Sequence, residues 1–192
     1  GIPYWNTDIG GFFNWPYHGG AENKAYHELY TRWFQYGTFL PMQRSHGSGV
    51  KKEIYNLGKK GDWVYDSEEK YINLRYALLP YLYSTGWQVT DNAGSFLRAL
   101  FMDFNEDQKV HTISNQYMFG KAFLVTPVTK NMYVFSDKEQ WKDPYEDFSK
   151  TGTQDVYLPK GTKWFDFWTG EALNGGQMVT KEVPIDIIPL YV

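Results

Sequence analysis

Three polar side chains stand where types and spacing could do chemistry. Asp8 is followed by Ile9-Gly10-Gly11-Phe12, and Arg44 and His46 lie two residues apart near the end of a second apolar run. A carboxylate, a permanently charged guanidinium and an imidazole can together bind and orient hydroxyl or carboxylate groups. On an extended segment Arg44 and His46 point the same way. The two glycines let the backbone turn sharply and carry Phe12 back over the same opening. An Asx-type turn with a packed Phe accounts equally well for residues 8–12, and a structural histidine for His46. The coupling of Asp8 to the Arg44–His46 stretch favours a site. Nearby, Tyr4, Trp5, Phe12, Phe13, Trp15 and Tyr17 supply ring faces. Sugar rings stack their apolar C–H faces on aromatic rings and need Asp, Arg, His and Asn partners for their hydroxyls, so the mixture suits carbohydrate. Core packing explains an aromatic stripe equally well.

Positioning these groups demands a particular set of elements. Residues 2–5 (IPYW) are expected to form a short buried strand, with Asp8 just beyond its carboxyl end. The spacing of Ala25, Tyr26, Leu29, Tyr30, Trp33 and Phe34 predicts an amphipathic helix over 22–36 that stops near Gly37. A second strand follows over 38–42. Strand, helix, strand with short connections is a parallel crossover unit that sets both carboxyl ends side by side, where β/α folds build their sites. Residues 47–65 are expected to be loop. Asp66-Ser67-Glu68-Glu69 has the pattern of a capping box for a helix carrying Tyr71 to Leu82, kinked at Pro80 and ending near Thr90. Tyr26, Tyr30, Trp33 and Phe34 are expected in the core, and Tyr71 to Tyr83 in the core and a domain interface. After residue 93, runs at 96–104, 122–128, 154–158, 163–168 and 183–190 separated by turn residues have an antiparallel β signature. Residues 130–153 show no period and are expected to be a long excursion.

The 192 residues include 8 Trp, 16 Tyr and 13 Phe but no Cys, with 19 basic and 22 acidic side chains for a formal charge of −3. A chain of this length buries roughly 70% of its unfolded surface, enough for a sizeable core. Near-balanced charge offers no footprint for nucleic acid, and no apolar run approaches the roughly 20 residues that span a bilayer. Absence of Cys removes disulfides, thiolate metal sites and a Cys nucleophile. It leaves the compartment open, with a bacterial periplasmic or cell-surface setting favoured over the cytoplasm. No Walker loop, dinucleotide glycine pattern, nucleophile elbow or zinc-protease helix is present. Asp103, Asn105 and Asp107 have the alternate spacing of a calcium loop, but Gln108 and Ser114 occupy the positions that need Gly and Glu, so an acidic turn is expected and no metal. The abrupt start at Gly1-Ile2-Pro3 and the apolar end at 187–192 raise the expectation of a piece of a longer protein.

The strings YWNTDIGGF, LYTRWFQYGTFLPMQRSHG, LRYALLPYLYS, RALFMDF, QYMFG, LVTPV, VYLP and WFDFWTG, in this order and spacing, resemble glycoside hydrolase family 31, above all its bacterial α-xylosidases and α-glucosidases. The resemblance extends over essentially the whole chain. It implies a fold of α/β plus all-β type: residues 1–92 as the last strands and helices of a (β/α)8 TIM barrel, and 93–192 as a proximal antiparallel β-sandwich, incomplete at its end. It further implies a retaining α-glycosidase that removes terminal α-linked xylose or glucose from an oligosaccharide or glycoside without a cofactor. In such enzymes one Asp attacks the anomeric carbon, and a second protonates the leaving oxygen and then activates water. Neither Asp motif has a counterpart in these residues, and both are expected upstream of Gly1. By motif match Asp8, Phe12 and His46, with Arg44 supporting, belong to the sugar-binding wall. In the family's pattern His46 would bond a substrate hydroxyl, Phe12 would pack on the sugar, and Asp8 would sit close to the nucleophile. The isolated chain is therefore expected to be inactive and to self-associate or pair with the missing part of the barrel. Two alternatives stay open: a non-catalytic carbohydrate-binding β-sandwich, which would use Trp141, Trp164 and Trp168, and a purely structural interaction piece.

Overall fold

The computed structural model describes residues 3–192; Ile2 of the expected first strand lies outside them. Helix α1 (Lys24–Thr38) is set by its cap: Asn23 Oδ1 accepts from the Ala25 and Tyr26 amides at 2.9 and 3.2 Å, satisfying orphan donors of the first turn. It runs one residue beyond Gly37. Tyr26, Tyr30 and Phe34, spaced by four, enter the core. The opposite side is not solvated, as an amphipathic helix would have it. Glu28, Arg32 and Gln35 are all buried there. Glu28 carboxylate oxygens accept from the amides of Met132, Tyr133 and Val134 at 2.7, 3.1 and 2.7 Å. Arg32 donates to the Val183 and Ile187 carbonyls, and Gln35 to that of Ile185. Trp33, expected in the core, is only half-buried.

After a single turn, α2 (Ile54–Leu57), helix α3 (Trp63–Ala77) begins three residues before Asp66, so the expected capping box does not form. Buried Val64, Ser67 and Glu68 hold the extra turn against its neighbours, and Asp66 instead accepts from the Gly61 amide at 2.9 Å. Contacts of Gln35 with Ser67 and of Arg75 with the Thr38 carbonyl show α3 running parallel to α1. The helix breaks at Leu78, and Pro80 sits in the first turn of α4 (Leu79–Asn92), where a missing N–H is tolerated. Tyr71, Leu78 and Leu82 reach the core, but Tyr76 and Tyr83 are 69% and 85% exposed, contrary to the expected interface.

Past Ala93, which takes a left-handed conformation at φ 51°, the chain is built from short strands: β1 (Leu97–Ala99), β2 (Tyr117–Phe119), β3 (Phe123–Val125), β4 (Val134–Phe135), β5 (Tyr145–Glu146), β6 (Thr153–Leu158), β7 (Lys163–Phe165), β8 (Ala172–Asn174), β9 (Gln177–Glu182) and β10 (Leu190–Tyr191). All named pairings are antiparallel: a sheet in the order β1-β2-β3-β10, and the pairs β4–β5, β6–β9 and β7–β8. Alternation along β2 and β3 divides them between two cores. Phe119, Phe123 and Val125 join Phe39, Tyr71 and Leu82 on the helical side, while Met118 and Leu124 pack with Val156, Leu158 and Trp164.

Several expected strands are shorter or absent. The run at 96–104 is a strand only over β1 and then closes into the helical turn α5 (Leu100–Asp103). The run at 183–190 forms no ladder before Leu190, because helix side chains occupy its acceptors: Arg32, Gln35, Tyr71 and Lys70 take the carbonyls of residues 183 and 185–187. The excursion at 130–153 contains the β4–β5 pair, tethered by Glu28. Residues 3–8 are not a buried strand; Tyr4 and Trp5 are exposed, and residues 38–42 end α1 and turn. Parallel strands need ladders on their flanks, and among the described residues the two segments share no strand pairing; backbone bonds join their continuations, from the Ile9 amide to the Arg44 carbonyl and from the Ser48 amide to the Phe12 carbonyl. No closed barrel forms among the described residues. The acidic turn is as expected: Asp107 accepts from Tyr157 Oη at 2.7 Å and the Lys160 amide at 2.9 Å, and Asp103 pairs with Arg98 at 2.8 Å.

Glu68 is fully buried and finds no hydrogen-bond partner among the described residues. Burial pushes its carboxyl from the ordinary 4.5 up to about 9, because an apolar setting penalises the charged form. Between those values the folded protein keeps a proton that the unfolded chain releases, so this residue lowers stability progressively as pH rises. From pH 5 to 8 the stability of Glu68→Gln relative to wild type is expected to rise by about 1 kcal/mol per pH unit, read from urea midpoints. Parallel pH profiles for the two proteins are the contrary result.

Candidate functional site

Asp8, Phe12, Arg44 and His46 meet on one open face. The Ile9 amide donates to the Arg44 carbonyl at 3.2 Å, which sets Asp8 beside Arg44 with Oδ1 3.9 Å from Nε. Both side chains are partly exposed, so the pair orients more than it stabilises. Beyond Asp8 the chain turns at Gly10, whose φ is 78° and where a Cβ would lie 2.4 Å from the Tyr30 ring. Only glycine meets both conditions. The turn delivers Phe12, whose carbonyl accepts from the Ser48 amide at 2.8 Å and whose ring meets His46 at 62° with centroids 5.4 Å apart. Gly47 permits this approach: a Cβ there would stand 2.5 Å from the Phe12 carbonyl oxygen.

The residue that holds this face together lies in the segment expected to be plain loop. Lys52 is 8% exposed, and its ammonium donates to the carbonyls of Ile9 at 3.0 Å and His46 at 2.7 Å and to that of Gly11. One cation thus clips the turn after Asp8 to the Arg44–His46 stretch. Tyr30 completes the frame from α1, donating to the Lys52 carbonyl at 2.8 Å and meeting Ser45 Oγ at 2.7 Å. Burial pulls the Lys52 ammonium below the ordinary lysine value, and the Asp8 charge opposes that shift. Nothing in the sequence separates Lys52 from Lys51, Lys59 or Lys60.

Other expected aromatics point elsewhere. Tyr4 packs against Phe96, Trp5 against Tyr36, and Tyr17 against Tyr26 and Trp141. A cavity of about 570 Å³ between residues 5–7, α1 and residues 127–131 is lined by Trp5, Trp33, Tyr36 and Trp141 and includes none of the four candidate residues. The tryptophans of the binding-module alternative are committed to packing. Trp164 is buried and donates to the Pro159 carbonyl, Trp168 donates to that of Ile188, and Trp141 stacks on Tyr17. Among the described residues no three His, Asp or Glu side chains gather as metal ligands, and no helix is long and apolar enough to cross a membrane.

The model of the glycosyl hydrolases family 31 TIM-barrel domain matches residues 1–85, and that of the family 31 C-terminal domain matches residues 93–192. The chain belongs to glycosyl hydrolase family 31. It is 43% identical to an alpha-xylosidase of Saccharolobus solfataricus, covering 100% of this chain and 23% of that protein. To an alpha-glucosidase of the same organism it is 31% identical, covering 99% of this chain and 25% of the relative. Among solved structures, the GH31 alpha-xylosidase of Xanthomonas citri superposes with a TM-score of 0.83 at 40% identity, over 98% of this chain and 19% of that one. A soil-metagenome GH31 alpha-xylosidase complexed with xylose gives 0.78 at 30% identity, over 98% of this chain and 27% of that one. The family 31 chain therefore spans about a quarter of the length of the curated relatives it matches.

Replacing Lys52 by Met strips three carbonyls of their common donor. The expected loss of stability is about 2–4 kcal/mol, seen as a lower urea midpoint. An unchanged midpoint would show the clip to be dispensable.

Proposed function

We propose that the chain is part of a retaining α-glycosidase that removes terminal α-linked xylose or glucose from oligosaccharides, and that it supplies one wall of the sugar site. The observation that carries this is the edge contact of Phe12 with His46 beside the Asp8–Arg44 pair, on one face of a family 31 chain. A pyranose against that face has a ring to stack on, an imidazole for a hydroxyl, and a carboxylate that accepts from hydroxyls while the Arg44 charge steadies it. Such contacts hold the anomeric carbon for in-line attack, and those that strengthen as the oxocarbenium-like transition state forms raise the rate.

In this proposal residues 1–92 are the last strands and helices of a (β/α)8 barrel, and 93–192 most of a β-sandwich. The family-model matches on either side of residue 93 and the antiparallel pairing beyond it support that division. The nucleophile and the acid/base carboxylate belong to polypeptide outside these 192 residues. Their motifs have no counterpart in the sequence, and relatives four times as long leave room for them.

Two expected outcomes test this. In the longer protein, His46→Ala should lower kcat/KM for an aryl α-xyloside or α-glucoside by about 10²-fold, since misplacing a bound ring costs that order of rate. Unaltered kinetics with both glycosides would refute the sugar-wall role. The purified 192-residue chain alone should turn over neither glycoside and should self-associate in sedimentation, because an incomplete barrel leaves backbone edges unpaired. Robust turnover by that chain would overturn the assignment of the carboxylates.

A further inference from the structure

The two stretches that carry the candidate residues, 8–12 and 44–48, are joined directly only near their ends. The Ile9 amide donates to the Arg44 carbonyl at 3.2 Å, and the Ser48 amide to the Phe12 carbonyl at 2.8 Å. Between those bonds, where a ladder would have continued, the described residues make no backbone bond across. The Lys52 ammonium fills that interval, with the Ile9 and Gly11 carbonyls on one side and the His46 carbonyl on the other. Gly47 leaves it room, since a Cβ there would lie 2.7 Å from Lys52 Nζ. The base from which the ammonium reaches is itself fixed. Fully buried Tyr30 on α1 donates to the Lys52 carbonyl at 2.8 Å. Among the described residues no carboxylate lies within ion-pair distance of this cation. Packing alone does not call for a charge here, because an apolar contact joins two segments at less desolvation cost. What the ammonium adds is three donors on one atom, and therefore a three-way junction that an amide with two N–H groups cannot make.

We infer that Lys52 is a positioning residue for the glycosidase reaction: it sets the separation between the Phe12 turn and the His46 stretch, and so the place of one sugar against both. The inference rests on the sugar-wall proposal and concerns the rate rather than the stability of the fold. A pyranose that stacks on Phe12 and bonds His46 through a hydroxyl does both only at one spacing of ring and imidazole, here 5.4 Å between centroids. A shift of about 1 Å in such a constellation costs on the order of 10²-fold in rate. Lys52 is buried beneath the face and all three of its donors are committed to carbonyls, so it has none left for a sugar and acts through the backbone it holds.

The test is a double-mutant cycle in the longer protein, on the aryl α-glycoside it turns over, with circular dichroism confirming that each variant is folded at the assay temperature. Lys52→Met should lower kcat by about 30-fold while KM changes less than about 3-fold; on a His46→Ala background the loss should be about 3-fold at most, because a spacing has no further value once one side of it is gone. A purely structural lysine would give the same factor on both backgrounds. Where Lys52→Met does not fold, Tyr30→Phe keeps the ring in the core, removes only the hydroxyl beneath Lys52 and runs the same cycle, with expected losses of about 5-fold and at most about 2-fold. Equal factors on the two backgrounds would overturn the positioning role and leave Lys52 to stability, while a loss caused by His46→Ala alone keeps the sugar wall standing. If His46→Ala changes nothing, the sugar wall fails and the role of Lys52 with it.

Discussion

Helix α1 buries charge on the side away from its aromatic stripe, and the packing of the chain follows from satisfying that charge. Glu28 collects three amides from residues 132–134, and Arg32 and Gln35 collect three carbonyls from residues 183–187. Left unpartnered in a core, such groups would cost several kcal/mol each. The two segments therefore have to lie against α1, which fastens the β-rich part to the helices through backbone atoms far away in sequence. The same bonds explain why residues 183–189 form no ladder and why the long excursion returns to the body of the protein.

The device recurs where the fold needs irregular backbone. Arg75 on α3 donates to the carbonyls of Thr38, Leu40 and Pro41 at 2.8, 2.6 and 2.9 Å, holding the turn that follows α1, and burial lowers its guanidinium to about 10. Lys52 does the same for the face that carries Asp8 and His46. Frame and chemistry are thereby separated. Lys52, Tyr30 and the glycines fix the backbone, and Asp8, Phe12, Arg44 and His46 stay exposed enough to meet a ligand.

Much of the site was legible in the sequence because it depends on local pattern. Spacing placed α1 within two residues and Pro80 marked the break between α3 and α4; Asp8 does lie 3.9 Å from Arg44, although the two strands of the expected crossover unit do not form. The pattern failed where long-range contacts override local preference. Asp66 to Glu69 have the form of a capping box, but burial of Val64, Ser67 and Glu68 extends the helix past it. The run at 183–190 has strand-like composition, but its acceptors are taken by helix side chains. Residues 2–5 have the composition of a buried strand, and of these Pro3, Tyr4 and Trp5 stay exposed, because a strand is buried by its neighbours rather than by its own apolarity.

By itself the sequence determined the family, the order of helical and β parts, and the residue types that can grip a sugar, since motifs and periodicity are local properties of the chain. Only the tertiary structure decided which polar residues are buried clips and which stay exposed. It also decided which aromatic of the 4–17 segment meets His46 and which turn away to pack. The physical reason is common to both. Lys52, Arg75, Glu28 and Arg32 bond to backbone amides and carbonyls, which are alike at nearly every position, so their partners leave no mark in the sequence until the fold brings them together.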